Sequence, residues 1–277
     1  MRLSKRPVKW LSAGLALCLG LAIVGAPWLV MAQQFVPPKR GLPGRRIGGG
    51  SRDPRACIRS APSQPAELGQ LFALSPNNNF GFTTTAAPRF FWYLPKTRAK
   101  QAELTLYRAN KQQIEHLTEG ASREQIKQVE QTVVYQTTFN LTSQIGIVSV
   151  ALLSKSANAA PSLEVGQYYR WQISLICDPN NRKVGDISIE GWIQRIEPET
   201  ALASKLQKSD DRKRVSLYAS NGYWYDTLDT LANLRCANPT DSSLVNSWSA
   251  LLKSVKLEVI ANQPLLQSCP SSRALHQ

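Results

Sequence analysis

Pro88-Arg-Phe-Phe-Trp-Tyr-Leu-Pro95 decides the fold. Phe90, Trp92 and Leu94 fall on one face of an extended chain, and Phe91 and Tyr93 on the other, because side chains alternate with period two. A prolyl residue closes the run at each end. A strand apolar on both faces must be covered on both. The same period recurs in Ala102–Ala109 (AELTLYRA), Gln131–Leu141 (QTVVYQTTFNL), Gly146–Leu153 (GIVSVALL), Gln167–Cys177 (QYYRWQISLIC) and Asp186–Ile196 (DISIEGWIQRI). These runs are rich in β-branched and aromatic residues and are separated by turn residues such as Asp178-Pro179-Asn180-Asn181. About seven such strands predict an antiparallel sandwich over residues 67–197. Ser122–Gln131 (SREQIKQVEQ) reads instead as a short inserted helix capped by Ser122.

After Pro198 the period becomes helical, over residues 198–262. Thr200–Leu206 is one helix. Asp210 or Asp211 caps a second, which Asn221-Gly222 ends. Tyr223–Cys236 places Leu228, Leu231 and Leu234 on one side, and Asn238-Pro239 stops it. Thr240 or Asp241 caps the last helix, with Leu244, Trp248, Leu251, Leu252 and Val255. Residues 263–277 form a tail. The predicted fold class is mainly β with C-terminal α: an immunoglobulin-like sandwich with a small helical segment packed on it.

The other end of the chain predicts a compartment. Arg2, Lys5, Arg6 and Lys9 precede an apolar run from Trp10 to Val30, and Val30-Met31-Ala32 is a small-x-small cleavage site before Gln33. Residues 1–32 therefore read as a secretory signal peptide, with an uncleaved anchor as the alternative. Removing 32 of 277 residues leaves 245, and the net charge of +14 loses the leader's four cations. Residues 33–66 read as a basic disordered arm, since Lys39, Arg40, Arg45, Arg46, Arg52, Arg55 and Arg59 stand among Pro, Gly and Ser with no apolar period. The charge is thus local, and export argues against nucleic acid as partner.

Four cysteines remain beyond the leader. An even number in an oxidising compartment suggests two disulfides in one of three connectivities. Cys57 ends the arm and Cys177 a strand; Cys236 ends a helix and Cys269 lies in the tail. Cys57–Cys177 and Cys236–Cys269 are the expected bonds. No close cysteine pair suggests zinc, and no cofactor motif occurs. Gly44–Ser51 mimics a phosphate loop but carries Gly50 where the lysine belongs, and follows no strand.

Catalytic candidates are few. His116 is read as an exposed strand residue. Asp226 with Asp229, and Asp186 with Glu190, each share a face, which is the minimum a carboxylate hydrolase needs. Solvated acids are the simpler reading. Aromatics are the stronger lead: Tyr223, Trp224 and Tyr225 are consecutive, so one buries while a tyrosine faces a groove. With Phe91 and Tyr93 they form the candidate interaction surface, unless the helices cover the strand face instead.

Two pieces resemble immunoglobulin or fibronectin type III modules. PRFFWYLP followed by AELTLY is similar to their second and third strands. LEVGQYYRWQISL (Leu163–Leu175) is similar to the sixth, with Tyr169 as the corner tyrosine. LYASNGYWYDTLDTLANLRCANP (Leu217–Pro239) resembles one tetratricopeptide repeat, too little to stand alone. Together RGLPGRRIGGGSR with Cys57, FALSP, PRFFWYLP, LEVGQYYRWQISLIC, GWIQRI and LYASNGYWYDTLDTLANLR resemble a family known from cyanobacteria, domain of unknown function 928. The resemblance implies an exported cyanobacterial protein and no activity. The reading from sequence is an exported, periplasmic or extracellular envelope protein, a non-enzymatic interaction or scaffold module. Its partner is an envelope protein; the alternative is an anionic polysaccharide or membrane surface engaged by the arm and the aromatics.

Overall fold

Among the described residues nine strands divide between two sheets. A computed structural model describes residues 34–48, 57–58, 65–117, 120–152, 162–182 and 186–266. The leader, Arg52, Arg55, Arg59 and Cys269 lie outside the described residues. The strands are β1 Ile47–Gly48, β2 Leu71–Ala73, β3 Phe80–Thr83, β4 Arg89–Leu94, β5 Gln101–Ala109, β6 Gln131–Asn140, β7 Gly146–Ala151, β8 Tyr168–Ile176 and β9 Ile187–Arg195. Their order is β1-β2-β4-β7 in one sheet and β3-β9-β8-β5-β6 in the other. Helices α1 Lys111–His116 and α2 Arg123–Gln128 interrupt the strands. Helices α3 Thr200–Gln207, α4 Asp211–Ser220, α5 Trp224–Ala237 and α6 Ser242–Ser254 follow them.

The two sheets face each other as a β-sandwich, with β4 inside the smaller sheet and β8 inside the larger. The Tyr169 hydroxyl accepts the Glu164 backbone N–H at 3.1 Å, the kind of hydrogen bond expected of a corner tyrosine. One ladder departs from the antiparallel expectation. The chain crosses between sheets after β2, and β3 then joins β9 in parallel, Phe80 opposite Trp192.

The period-two reading of β4 explains the layers. Phe90 meets Trp171 of β8 at 5.2 Å between ring centroids, and Trp92 meets Phe139 of β6 at 5.8 Å, so this face lies between the sheets. On the opposite face Phe91 meets Trp248 of α6 at 6.2 Å. The Tyr93 hydroxyl donates to the Leu68 carbonyl at 3.2 Å. The helices, not a ligand, cover the second face of β4.

Helix ends follow their caps. The Ser122 hydroxyl accepts from Gln125 N–H while the Gln125 side chain accepts from Ser122 N–H, a capping box at the start of α2. Asp210 and Asp241 cap α4 and α6. The α4–α5 hairpin turns at Gly222, whose φ of +80° suits glycine. Its carbonyl accepts Phe82 N–H at 2.9 Å, which docks the hairpin on β3. Leu228 and Leu231 are then buried and Leu234 partly so. Leu231→Ala should lower unfolding free energy by about 3 kcal/mol, within the usual cost of truncating a core leucine. A urea midpoint equal to wild type would place the covering surface elsewhere.

Two expectations need correction. Residues 34–48 are not a disordered arm. Phe35 and Leu42 are 3% and 2% exposed. Phe35 packs on Trp224 at 4.8 Å, Val36 N–H donates to Ala219 at 3.0 Å, and Leu42 N–H to Asn78 at 3.0 Å. β1 then extends the smaller sheet beside β2. Two anchoring apolar residues and backbone hydrogen bonds suffice where no period exists. His116 is exposed, as expected, but it closes the short helix α1 and not a strand. Among the described residues no helix is long and apolar enough to cross a membrane.

Candidate functional site

The predicted aromatic surface is core. Tyr223, Trp224, Tyr225, Phe91 and Tyr93 are between 0% and 3% exposed. α5 enters the molecule by its first turn, so consecutive positions are covered on different sides by the arm, the β3–β4 region and the sheets. Trp224 Nε1 donates to the Leu74 carbonyl at 2.7 Å. Tyr225 lies deepest: its hydroxyl accepts from Trp171 Nε1 at 2.6 Å and donates to the Trp192 carbonyl at 3.0 Å. Gly191, opposite Trp171 on β9, leaves room for that indole; a Cβ there would sit 2.6 Å from it. Satisfied polar ends and buried rings make this a structural junction.

The carboxylate pairs are separated by their partners. Asp186 accepts from Arg182 at 3.0 Å, and Arg182 also grips Glu103 at 2.9 Å. Asp229 pairs with Arg89 at 3.2 Å. Asp226 is buried without a cation and accepts Thr84 N–H at 3.1 Å. Burial raises its carboxyl to about 6, against which the Thr84 and Thr83 hydrogen bonds act. Because the folded value lies above the ordinary 3.8, Asp226 contributes stability that is fully present below about pH 4 and is lost as pH rises through 6. Relative to Asp226→Asn, the wild type should gain about 2 kcal/mol between pH 7.5 and 4.5. Urea unfolding of both proteins at the two pH values measures this, and parallel pH profiles would show that Asp226 titrates normally.

A polar groove lies on the outer face of the larger sheet. Arg170 and Gln172 of β8, Glu190 of β9 and Gln131 of β6 form its floor. Arg123 and Lys127 of α2 form one wall and Arg45 of the former arm the other, around about 330 Å³. Arg170 is fixed on four sides. Its Nη1 donates to Glu190 at 2.7 Å and to Gln172 at 3.1 Å, its Nε to Gln131 at 2.7 Å, and its guanidinium lies 4.0 Å from the Tyr107 ring centroid. Glu190 also accepts Arg45 N–H at 2.8 Å and stands 3.7 Å from Arg123. The groove's lining thus carries four cations and one carboxylate.

Of the arm's described cations, only Arg45 lines this groove. Lys39 is exposed, and Arg40 donates to the Ile114 carbonyl of α1 at 2.6 Å. Arg46 is half-buried, donating to the Val255 carbonyl, and desolvation pulls it down to about 10, partly opposed by Glu258. Arg170, Arg123 and Lys127 were missed as site residues. The polar alternation Arg170-Gln172-Ser174 marks an outward face of β8 in the sequence. Nothing local says that α2 and the arm fold over it.

A second concavity of about 320 Å³ opens between the end of β6 and the edge strand β7, lined by Arg89, Trp92, Phe139 and Val148. Trp92 Nε1 is buried there without a hydrogen-bond partner among the described residues.

One of the two expected disulfides is observed. Cys57 bonds Cys177 across 120 residues. Cys236 is disulfide-bonded too, and its expected partner Cys269 lies outside the described residues.

Neither a curated protein nor a solved structure matches the chain. The model of one family, described as Domain of Unknown Function (DUF928), matches residues 47–265, from the first strand through the last described segment beside β7. Spanning both sheets and all the C-terminal helices, that match shows that the chain belongs to the DUF928 family.

Proposed function

We propose that this is an exported cyanobacterial envelope protein, periplasmic or extracellular, that works by binding and not by catalysis. Its leader is cleaved after Ala32, and its second disulfide joins Cys236 to Cys269. The α4–α5 hairpin is a lone repeat-like unit recruited to buttress the sandwich. The observation that carries the reading is the groove, where Arg45, Arg123, Lys127 and Arg170 surround Glu190 on a rigid sheet. A net positive concavity of this kind attracts an acidic partner and makes the attraction salt-dependent. The carboxylates proposed for hydrolysis are meanwhile committed to Arg182, Arg89, Arg170 and Thr84. The cystine at Cys57–Cys177 suits an oxidising compartment.

The non-enzymatic binding reading is kept, with its contact surface moved from the aromatics to the groove. Co-sedimentation with isolated envelopes tests it. The mature protein should sediment at low salt and be released at high salt. Arg123→Glu with Lys127→Glu, on the exposed side of α2, should reduce low-salt retention at least tenfold. Retention equal to wild type would remove the groove from the function.

A further inference from the structure

We propose that the groove takes an acidic polysaccharide, binding carboxylates spaced along the chain through Arg45, Arg123 and Lys127. The inference rests on the groove being the binding surface and adds the class of ligand.

The floor and the rim differ in kind. On the floor, Arg170 and Glu190 are 17% and 21% exposed and are matched to each other at 2.7 Å. Their donors and acceptors are committed within the molecule. A compact anion such as phosphate needs several fixed donors converging on one point. The converging donors here, Arg170 Nη1 and Arg45 N–H, already hold Glu190. That carboxylate also repels a second dense charge placed beside it.

The rim cations are loosely held. The Arg123 side chain is 43% exposed, with Glu190 no nearer than 3.7 Å. Lys127 is 69% exposed and meets Glu124 at 3.5 Å, an exposed pair of little energetic weight. Arg45, also exposed, lines the groove from the arm. These positions suit single negative charges that arrive separately along a chain. Ser188 adds a hydroxyl, and the Gln131 and Gln172 amides, which already bond Arg170, Ile126 and Ser174, each keep a second N–H and a second lone pair for sugar hydroxyls.

An acidic protein surface fits less well. Protein interfaces draw their energy from buried aromatic and apolar anchors. The exposed large apolar residues described here are Val36, Ile47, Val133, Val165 and Val245, none aromatic and none lining the groove. The groove's apolar share is Pro43 and Ile126.

Calorimetric titration of the mature protein at constant ionic strength decides the matter. The probes are a hexamer of galacturonic acid, its neutral galactose counterpart, inorganic phosphate and hexaglutamate. The oligouronate should bind saturably and the neutral sugar should not. Arg123→Glu with Lys127→Glu should weaken the oligouronate at least tenfold, and Arg45→Ala should weaken it several-fold. All variants should keep the wild-type far-ultraviolet circular dichroism spectrum, which separates lost binding from lost folding. If phosphate displaces the oligouronate stoichiometrically, or hexaglutamate binds as tightly through the same residues, the polysaccharide class is wrong while the groove remains a binding surface. If no probe responds to the charge reversals and envelope retention does not either, the groove and the ligand class fail together.

Discussion

Tyr225→Ala should remove about 5 kcal/mol of stability. Truncating a fully buried aromatic costs about 3–5 kcal/mol through lost burial and the cavity left behind. Here two further groups lose partners, the Trp171 indole N–H and the Trp192 carbonyl. A stranded buried group costs about 1–3 kcal/mol where water cannot reach it. The ring also meets Phe90 edge-on at 5.8 Å, so its loss loosens the inter-sheet layer as well as the helix dock. Tyr225→Phe keeps the ring and should cost about 2 kcal/mol. In a domain of this size, 5 kcal/mol corresponds to about 10–20 °C in melting temperature. Thermal melts of both variants give the comparison. A surface tyrosine, as the sequence alone suggested, would leave both variants within a few degrees of wild type.

That reversal shows where sequence patterns stop. Phe90 and Trp92 announce their strand because alternation is a local property. Tyr169 announces its corner because the residues that make it, Leu163 to Tyr169, are contiguous. Ser122, Asp210 and Asp241 announce helix starts because capping spans three or four residues. Leu231 is legible as core because helical spacing groups it with Leu228. Tyr225 is different. Three consecutive aromatics on a helix point in three directions, and periodicity alone implies that one faces water. Only the insertion of the first turn of α5 between the arm and the sheets covers all three, and that is a tertiary fact.

The arm fails for a related reason. Its order comes from backbone hydrogen bonds to Asn78 and Ala219 and from pairing of β1 with β2, none of which depends on side-chain pattern. β3 hides because Phe80 and Phe82 share one face with only Gly81 between them. The groove unites α2, β8, β9 and the arm, positions up to 145 residues apart for Arg45 and Glu190. Each component was visible as a polar or charged residue. Their juxtaposition was not, because charge carries no record of what lies opposite it.

Opening the Cys57–Cys177 bond should cost nearly as much as losing Tyr225, by a different route. The bond closes a loop of 120 residues that holds β2 to β8. Releasing such a loop restores about 5 kcal/mol of chain entropy to the unfolded state, so 4–5 kcal/mol is the expected loss. The native contacts around the bond are modest by comparison. Arg98 N–H donates to the Cys57 carbonyl at 2.9 Å, and Ile58 bridges Thr97. They hold the segment near the β4–β5 connection without the sulfur bridge. The paired variant Cys57→Ala with Cys177→Ala isolates this bond and leaves Cys236 oxidised, which a reducing agent would not. Its urea midpoint should fall. Its m-value should rise, because an unfolded chain free of that loop exposes more surface. The groove, formed by β8, β9, α2 and Arg45, should still bind its ligand in the folded fraction. A lower midpoint with an unchanged m-value would instead place the loss in the native state, in the packing of Cys57, and an unchanged midpoint would mean the bond contributes nothing to stability.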